Sequence, residues 1–168
     1  MKNTNSHKNF HLAKIISVVV IVILTVVLRL YKVNAPLADF HSWRQADTAS
    51  VARNFSKDGI NLLIPRYDDL SNIQSAKENP EGYRMVEFPL YNAGISVLHT
   101  ATHACTIDVC GRLISIFSSV IITLTLFYLL FKEHGLLAAI AGSLTFAVAP
   151  FSVYFTRVVL PEPTAVAL

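Results

Sequence analysis

Residues 113–131 read LISIFSSVIITLTLFYLLF, a run of 19 residues without a charged side chain between Arg112 and Lys132. A helix of this length and composition can cross the hydrocarbon core of a bilayer. The sequence KEHG at 132–135 predicts a tight turn, and residues 136–155 form another uncharged run. Small residues within that second run favour close approach of neighbouring helices. The sequence thus predicts two antiparallel membrane spans, at 113–131 and 136–155.

The composition of the whole chain supports an integral membrane protein. Of the 168 residues, 53% are hydrophobic and 15% are charged, whereas soluble domains carry about 25% charged residues. The net charge of +3 comes from dispersed basic residues, which argues against nucleic acid as a partner. Cys105 and Cys110 are too few for a disulfide framework. On an oxidising face they can pair, and the alternative is two free or buried thiols.

Residues 12–31 form a further predicted span, the first in the chain. Only Lys14 and Arg29 interrupt it, and both lie near enough to its ends to reach the interface. Residues 1–11 contain two lysines and no acid, so the positive-inside rule places the N-terminus in the cytoplasm. The alternative is a signal peptide cleaved near residue 35. The two later spans favour an uncleaved anchor.

This topology places residues 32–112 outside the membrane, the turn at 132–135 in the cytoplasm and residues 156–168 outside again. The outer segment 32–112 carries nine of the eleven acidic residues and is too polar to lie in hydrocarbon. Residues 164–168 resemble the first turn of a fourth helix. We therefore expect the sequence to be the N-terminal portion of a larger polytopic protein.

Two short amphipathic surface helices are predicted in the outer segment, near 43–58 and 89–104. The first lies in the sequence DFHSWRQADTASVARNF at 39–55, where Ser42 and Gln45 match a capping box. Gly59 supplies its stop. The apolar face of this helix, which is suited to the membrane surface, consists of Thr48, Val51, Ala52 and Phe55. The predicted fold class is therefore an all-α integral membrane protein whose outer loop bears short helices.

Four carboxylates are brought to one membrane face by this topology: Asp39, Asp47, Glu87 and Glu162. Such a set can bind a divalent metal or deprotonate a hydroxyl group. Arg44 and Arg157 lie on the same face and are candidates for binding a phosphate, because a guanidinium group matches phosphate geometry. Each of these residues also has a structural interpretation. For example, Asp47 can pair with Arg44 on one helix, and Asp39 can cap a turn.

Three further residues have both a functional and a structural interpretation. His99 and His103 are four residues apart on the second surface helix and could share a metal. Packing within a half-buried helix is the alternative. Trp43 can stack on a sugar or anchor the chain at the membrane interface.

Several motifs together resemble the GT-C superfamily of bacterial membrane glycosyltransferases. They are LRLY at the end of the first span, an aspartate soon after it, AxxARNF-like sequence in the surface helix, EFPLY at 87–91 and RxxxPEP at 157–163. The resemblance covers nearly the whole chain from about residue 12. Within the superfamily, the chain is most similar to glycosyltransferase family 39, the protein mannosyltransferase and lipid A aminoarabinose transferase group.

The resemblance implies an N-terminal part of a polytopic GT-C bundle in the bacterial plasma membrane, with its active loop on the outer face. It also implies that this portion is inactive alone, because the later spans of the family complete the donor-lipid pocket. Its donor substrate would be a polyprenyl-phosphate sugar, and its acceptor a glycan, lipid or protein of the cell envelope. Asp39 is the first candidate for the general base and Asp47 the second. Glu87 of EFP resembles the family's metal or acceptor contact. Glu162 of PEP resembles the family's acid after the third span.

The main alternative is a non-catalytic polytopic membrane protein, such as part of a transporter or an envelope assembly subunit. A transporter is expected to carry ionisable groups within its spans, facing a cavity. The spans at 113–131 and 136–155 have none, which favours chemistry at the membrane surface.

Overall fold

The computed structural model describes residues 3–72 and 76–168, with the side chains of α1 described from Lys8 onward. This part of the chain is helical and contains no strand. The seven helices are α1 (Asn3–Leu30), α2 (Ser42–Asp58), α3 (Leu90–Thr102), α4 (Ile107–His134), α5 (Leu136–Val148), α6 (Pro150–Phe155) and α7 (Glu162–Ala167). Between α2 and α3 the described residues form loop, with one isolated antiparallel bridge between Arg66 and Tyr83.

Two helices, α1 from Lys8 to Leu30 and α4, are long and apolar enough to cross a membrane. Large apolar side chains are exposed along almost the full length of α1: Phe10, Leu12, Ile15, Ile16, Val19, Val20, Ile23, Val27 and Leu30. In water such a continuous apolar surface is unfavourable, and in a bilayer it contacts lipid or further helices. The exposed surface therefore agrees with membrane association of these helices.

The helices α1, α4 and α5 pack against one another along their lengths. Their shared core contains Ile21, Phe127, Ala139 and Ala147. Gly142 lies against Leu130 of α4, so that a larger residue would displace this leucine. The prediction that small residues of 136–155 lie at a helix–helix contact is therefore confirmed.

The prediction of one continuous span at 136–155 is wrong, because α5 ends at Val148 and α6 begins at Pro150. Ala149 between them has an extended conformation, with ψ of 126°. A proline disfavours the helical conformation in the residue before it and has no N–H to donate. The predicted turn at 132–135 is also shorter than expected. The helix α4 continues through His134, and only Gly135, with φ of 84°, leaves the helical conformation.

Arg29, which the sequence suggested reaches the membrane interface, is buried among protein groups. Only 1% of the residue is exposed. It donates to the carbonyl oxygens of Phe146 (3.4 Å) and Ala147 (3.1 Å) at the end of α5. It also donates to the hydroxyl groups of Ser152 and Thr156. Arg29 thus joins α1 to the break between α5 and α6.

We call the end of the bundle where α1 finishes and α4 begins the loop end. There, α2 and α3 pack on each other and on the start of α4. Their core contains Ala49, Ala52, Tyr91, Ile95, Cys110 and Val159. The predicted apolar face of α2 is confirmed as buried. The helix α3 packs against it, so this face does not lie on a membrane surface.

The predicted start of α2 is only partly correct. The helix begins at Ser42, but His41, in the left-handed conformation, is the N-cap residue, and no side chain caps the helix. The Gln45 backbone N–H is bonded to the His41 carbonyl oxygen, so the capping box does not form. Gly59 ends the helix with a positive φ of 92°, as the sequence indicated.

Cys105, in the loop that follows α3, forms a disulfide with Cys110 in the first turn of α4. Of the alternatives that the sequence left open, the structure therefore has the paired one. Disulfides persist in oxidising compartments and are rare in the cytosol.

Candidate functional site

A cavity of about 250 Å³ opens at the loop end, between the segment that follows α1 and the segment that follows α6. We call it the Asp39 cavity. Its polar and charged lining comes from Tyr31, Lys32, Asp39, Arg112 and Arg157. Three basic side chains from three parts of the chain thus surround one carboxylate. In such a cavity the basic side chains can bind an anionic group, and the carboxylate can remove a proton from a group bound next to it.

Arg112 holds the backbone that leads from α1 to Asp39. Its guanidinium group donates to the carbonyl oxygens of Val33 (2.8 Å), Ala35 and Pro36 (3.4 Å). Only 5% of Arg112 is exposed. Because bonds from a charged donor are the stronger kind, Arg112 fixes this otherwise irregular segment on α4.

Gln45 connects Asp39 to the segment after α6. Its amide nitrogen donates to Asp39 Oδ1 at 2.6 Å and to the Phe40 carbonyl oxygen at 3.1 Å. Its amide oxygen accepts from the Val159 backbone N–H at 3.2 Å. The side chain is fully buried. One amide therefore fixes the orientation of Asp39 and the position of the segment that carries Arg157.

Arg157 lies against the end of α1. Its Nη1 donates to the Tyr31 carbonyl oxygen at 3.0 Å. Its guanidinium carbon lies 5.6 Å from the ring centre of Tyr31 and 5.7 Å from that of Tyr154. The Tyr154 hydroxyl in turn donates to the Phe40 carbonyl oxygen. Aromatic faces hold the guanidinium group in place while its remaining N–H groups stay available to a ligand.

Arg44 brings together two of the predicted carboxylates. Its Nη2 lies 2.7 Å from Glu162 Oε1 and 3.4 Å from Glu87 Oε2. These acids are 75 residues apart in the sequence, and their side chains are partly exposed. The Nε atom of Arg44 is buried without a hydrogen-bond partner. Arg44, a predicted phosphate contact, therefore forms ion pairs with protein carboxylates.

Asp47, the second candidate base, is paired with Arg84, with 2.9 Å between Oδ2 and Nη1. The alternative pairing of Asp47 with Arg44 on the same helix does not form in the described part of the chain. Burial raises the pKa of the Asp47 carboxyl, while the Arg84 guanidinium opposes the rise. Asp47 is not part of the lining of the Asp39 cavity.

A divalent metal was expected at Glu87, and a shared metal was one of two interpretations of His99 and His103. Within residues 3–72 and 76–168 no three acidic, histidine or cysteine side chains lie close enough to hold a metal ion. Glu87 shares Arg44 with Glu162 instead.

Sequence reasoning missed three residues of this site: Lys32, Gln45 and Arg112. Gln45 was assigned to a helix cap, and Arg112 was interpreted only as the flank of a span. The available signals were Arg112, near the start of a long apolar helix, and Gln45, which is three residues before Thr48 on the face of α2 that is predicted to be buried. Comparisons of the chain with protein-family models, curated proteins and solved structures found no match.

Proposed function

We propose that this chain forms part of a GT-C type membrane glycosyltransferase, which transfers a sugar from a polyprenyl-phosphate donor to an acceptor hydroxyl. The observation that carries the proposal is the Asp39 cavity, where one carboxylate lies among three basic side chains. It lies at one end of two helices that are suited to cross a membrane. A lipid-linked donor would present its phosphate and sugar at this level.

The proposed reaction is a direct displacement at the anomeric carbon. The Asp39 carboxylate takes the proton of the acceptor hydroxyl while the acceptor oxygen bonds to the anomeric carbon. The bond between that carbon and the phosphate oxygen breaks, and the lipid phosphate leaves with the electron pair. The anomeric configuration is inverted. Lys32, Arg112 and Arg157 would stabilise the negative charge on the departing phosphate.

The geometry favours Asp39 over Asp47 as the base. Asp39 lines the cavity with the basic residues, and Gln45 holds its orientation. Asp47 is occupied by Arg84. A base must lie within hydrogen-bond reach of the proton that it removes, and Asp39 meets this requirement for an acceptor bound in the cavity.

For Arg44 we propose a positioning role in place of phosphate binding. By pairing with Glu87 and Glu162, it joins α2 to the starts of α3 and α7 at the loop end. Glu87 and Glu162 remain partly exposed and are proposed to contact the acceptor hydroxyls.

The proposed orientation places the loop end outside the bacterial plasma membrane and the N-terminus in the cytoplasm. The Cys105–Cys110 disulfide supports this orientation, because it belongs to an oxidising compartment. The basic residues that precede the first apolar run support it independently.

The test uses the complete reading frame that contains this sequence, in membranes supplied with polyprenyl-phosphate sugars. We expect Asp39→Asn to lower transfer by about 100-fold or more, because a general base contributes about that much. Asp47→Asn should retain most of the activity. Asp58→Asn, an exposed position on the same helix, is the matched control.

Full turnover in the Asp39→Asn variant would remove Asp39 as the base. If no polyprenyl-phosphate sugar is consumed by the unaltered protein, the non-catalytic alternative of a transporter or assembly subunit is favoured instead. Binding of a labelled polyprenyl-phosphate sugar is measured alongside its transfer. Binding without transfer in the unaltered protein would favour the non-catalytic alternative.

A further inference from the structure

A second cavity, of about 380 Å³, lies between α2 and α3 and reaches the start of α4. We call it the basic cavity. Its charged and titratable lining consists of Arg53, Lys57, His99 and His103, and Ser56 and Thr100 add hydroxyl groups. Its volume falls in the range of about 300–1,000 Å³ that is usual for ligand sites. The residues that line it are separate from those of the Asp39 cavity.

We propose that the basic cavity binds a tetrahedral oxyanion, of the phosphate or sulfate class. Arg53 and Lys57, four residues apart on α2, repel each other, and an anion would relieve that repulsion. Only Arg53 among them forms an ion pair in the described part of the chain, with Asp68 of the loop. Hydroxyl groups beside the cations are suitable donors to anion oxygens.

A hydrogen bond fixes the ring of His99 at the wall of the basic cavity. His99 Nδ1 lies 2.7 Å from the carbonyl oxygen of Cys105. Because a carbonyl oxygen only accepts, Nδ1 is the donor of this bond. The disulfide from Cys105 to Cys110 constrains the segment that supplies this carbonyl. The ring therefore has a fixed position from which it can report an ion bound in the cavity.

The net charge beside the basic cavity is set by the groups on the elements around it. Arg53 and Lys57 of α2 are positive, and Asp68 of the loop is negative. The nearest acid of α4 in the sequence, Asp108, interacts with Arg112. We therefore expect sulfate, a dianion, to bind beside Lys57.

The experiment follows the histidine ring signals of the full chain by NMR, in nanodiscs of phosphatidylcholine alone, during titration with sulfate. The His99 signal is assigned from the His99→Asn variant, whose amide can replace Nδ1 toward Cys105. We expect saturable shifts of the His99 signal as sulfate is added.

Lys57→Gln should weaken sulfate binding about tenfold, whereas Lys132→Gln, an exposed lysine at the other end of α4, should not. A second series of nanodiscs contains phosphatidylglycerol and no sulfate. Shifts of the same His99 signal there would identify a lipid headgroup as the source of the anion, and shifts with sulfate alone would identify a soluble one.

Absence of His99 shifts in both series would overturn the proposal. Equal effects of Lys57→Gln and Lys132→Gln would also overturn it, since they would indicate binding to the surface charge in general. Neither result bears on sugar transfer, because no donor or acceptor is present in these samples.

Discussion

At the level of single residues, the buried amide of Gln45 joins α2 to the loop that precedes it and to a segment more than a hundred positions away. It bonds to the loop after α1 through Asp39 and Phe40, and to the segment after α6 through Val159. A glutamine can do this because its side chain both donates and accepts. Neither leucine nor glutamate has this combination, so Gln45 is a positioning residue for the proposed base.

Gln45→Leu should destabilise the folded chain by about 2 kcal/mol, because the Val159 N–H and the Asp39 carboxylate lose a buried partner. For a chain of this size the melting temperature falls by about 4–8 °C. Thermal unfolding in detergent, followed by circular dichroism, measures the change.

The matched control is Ala46→Leu, which introduces the same side chain at the next position, where the helix is exposed. An equal melting temperature for Gln45→Leu and the unaltered chain would show that these hydrogen bonds contribute nothing to stability.

At the level of elements, the break between α5 and α6 is compensated by a side chain of α1. Pro150 has no N–H, so the carbonyl oxygen of Phe146, four residues earlier, has no helical donor. The extended conformation of Ala149 interrupts the helix, so the carbonyl oxygen of Ala147 also has no helical donor. Arg29 donates to both oxygens. The break also lets the chain turn so that Thr156 meets Arg29 and Arg157 reaches Tyr31.

Arg29→Met should lower the free energy of unfolding by about 3 kcal/mol or more, since carbonyl and hydroxyl groups inside the bundle would lose a charged donor. Pro150→Ala should reduce this loss by about 1 kcal/mol or more, because a continuous helix supplies its own N–H donors. A double-mutant cycle on unfolding in detergent measures this coupling.

Val148→Ala is the control for Pro150→Ala. Val148 is exposed, and its replacement leaves the proline and the backbone hydrogen bonds unchanged. Strict additivity of Arg29→Met and Pro150→Ala would contradict the compensation that we describe.

At the level of the whole molecule, the helices α1, α4 and α5 to α6 run alternately along the bundle and bring distant segments to the loop end. In the proposed membrane orientation, Phe40→Cys and Pro161→Cys should react with an impermeant maleimide from the outer side. Glu133→Cys should react only after the membrane is permeabilised. The native cysteines are paired and remain unreactive until they are reduced.

Labelling of Phe40→Cys and Pro161→Cys from opposite sides would exclude the proposed site, since Asp39 and Arg157 could not then share a cavity. Labelling of both from the cytoplasmic side would preserve the cavity and reverse the orientation.

Much of the fold follows from local pattern. The uncharged run at 113–131 lies within α4, and the three- and four-residue spacing in α2 gave the buried face correctly, because burial periodicity is a local property. Asp39 and Arg157 lie at the same end of the bundle because two antiparallel helical segments separate them, and this number could be predicted from the sequence. Pro150 was the sequence signal for the break in 136–155, but the length of the uncharged run favoured a single continuous helix.

Partnerships between side chains were beyond the sequence. Composition and spacing identified Asp39, Asp47, Glu87, Glu162, Arg44 and Arg157 as chemically capable residues. Which acid pairs with which base depends on distances set by packing: Arg44 meets Glu87 and Glu162, Asp47 meets Arg84, and Asp39 is left in a cavity with Arg157. Local sequence encodes helices and their faces, whereas a contact between residues more than a hundred positions apart exists only after those helices have packed.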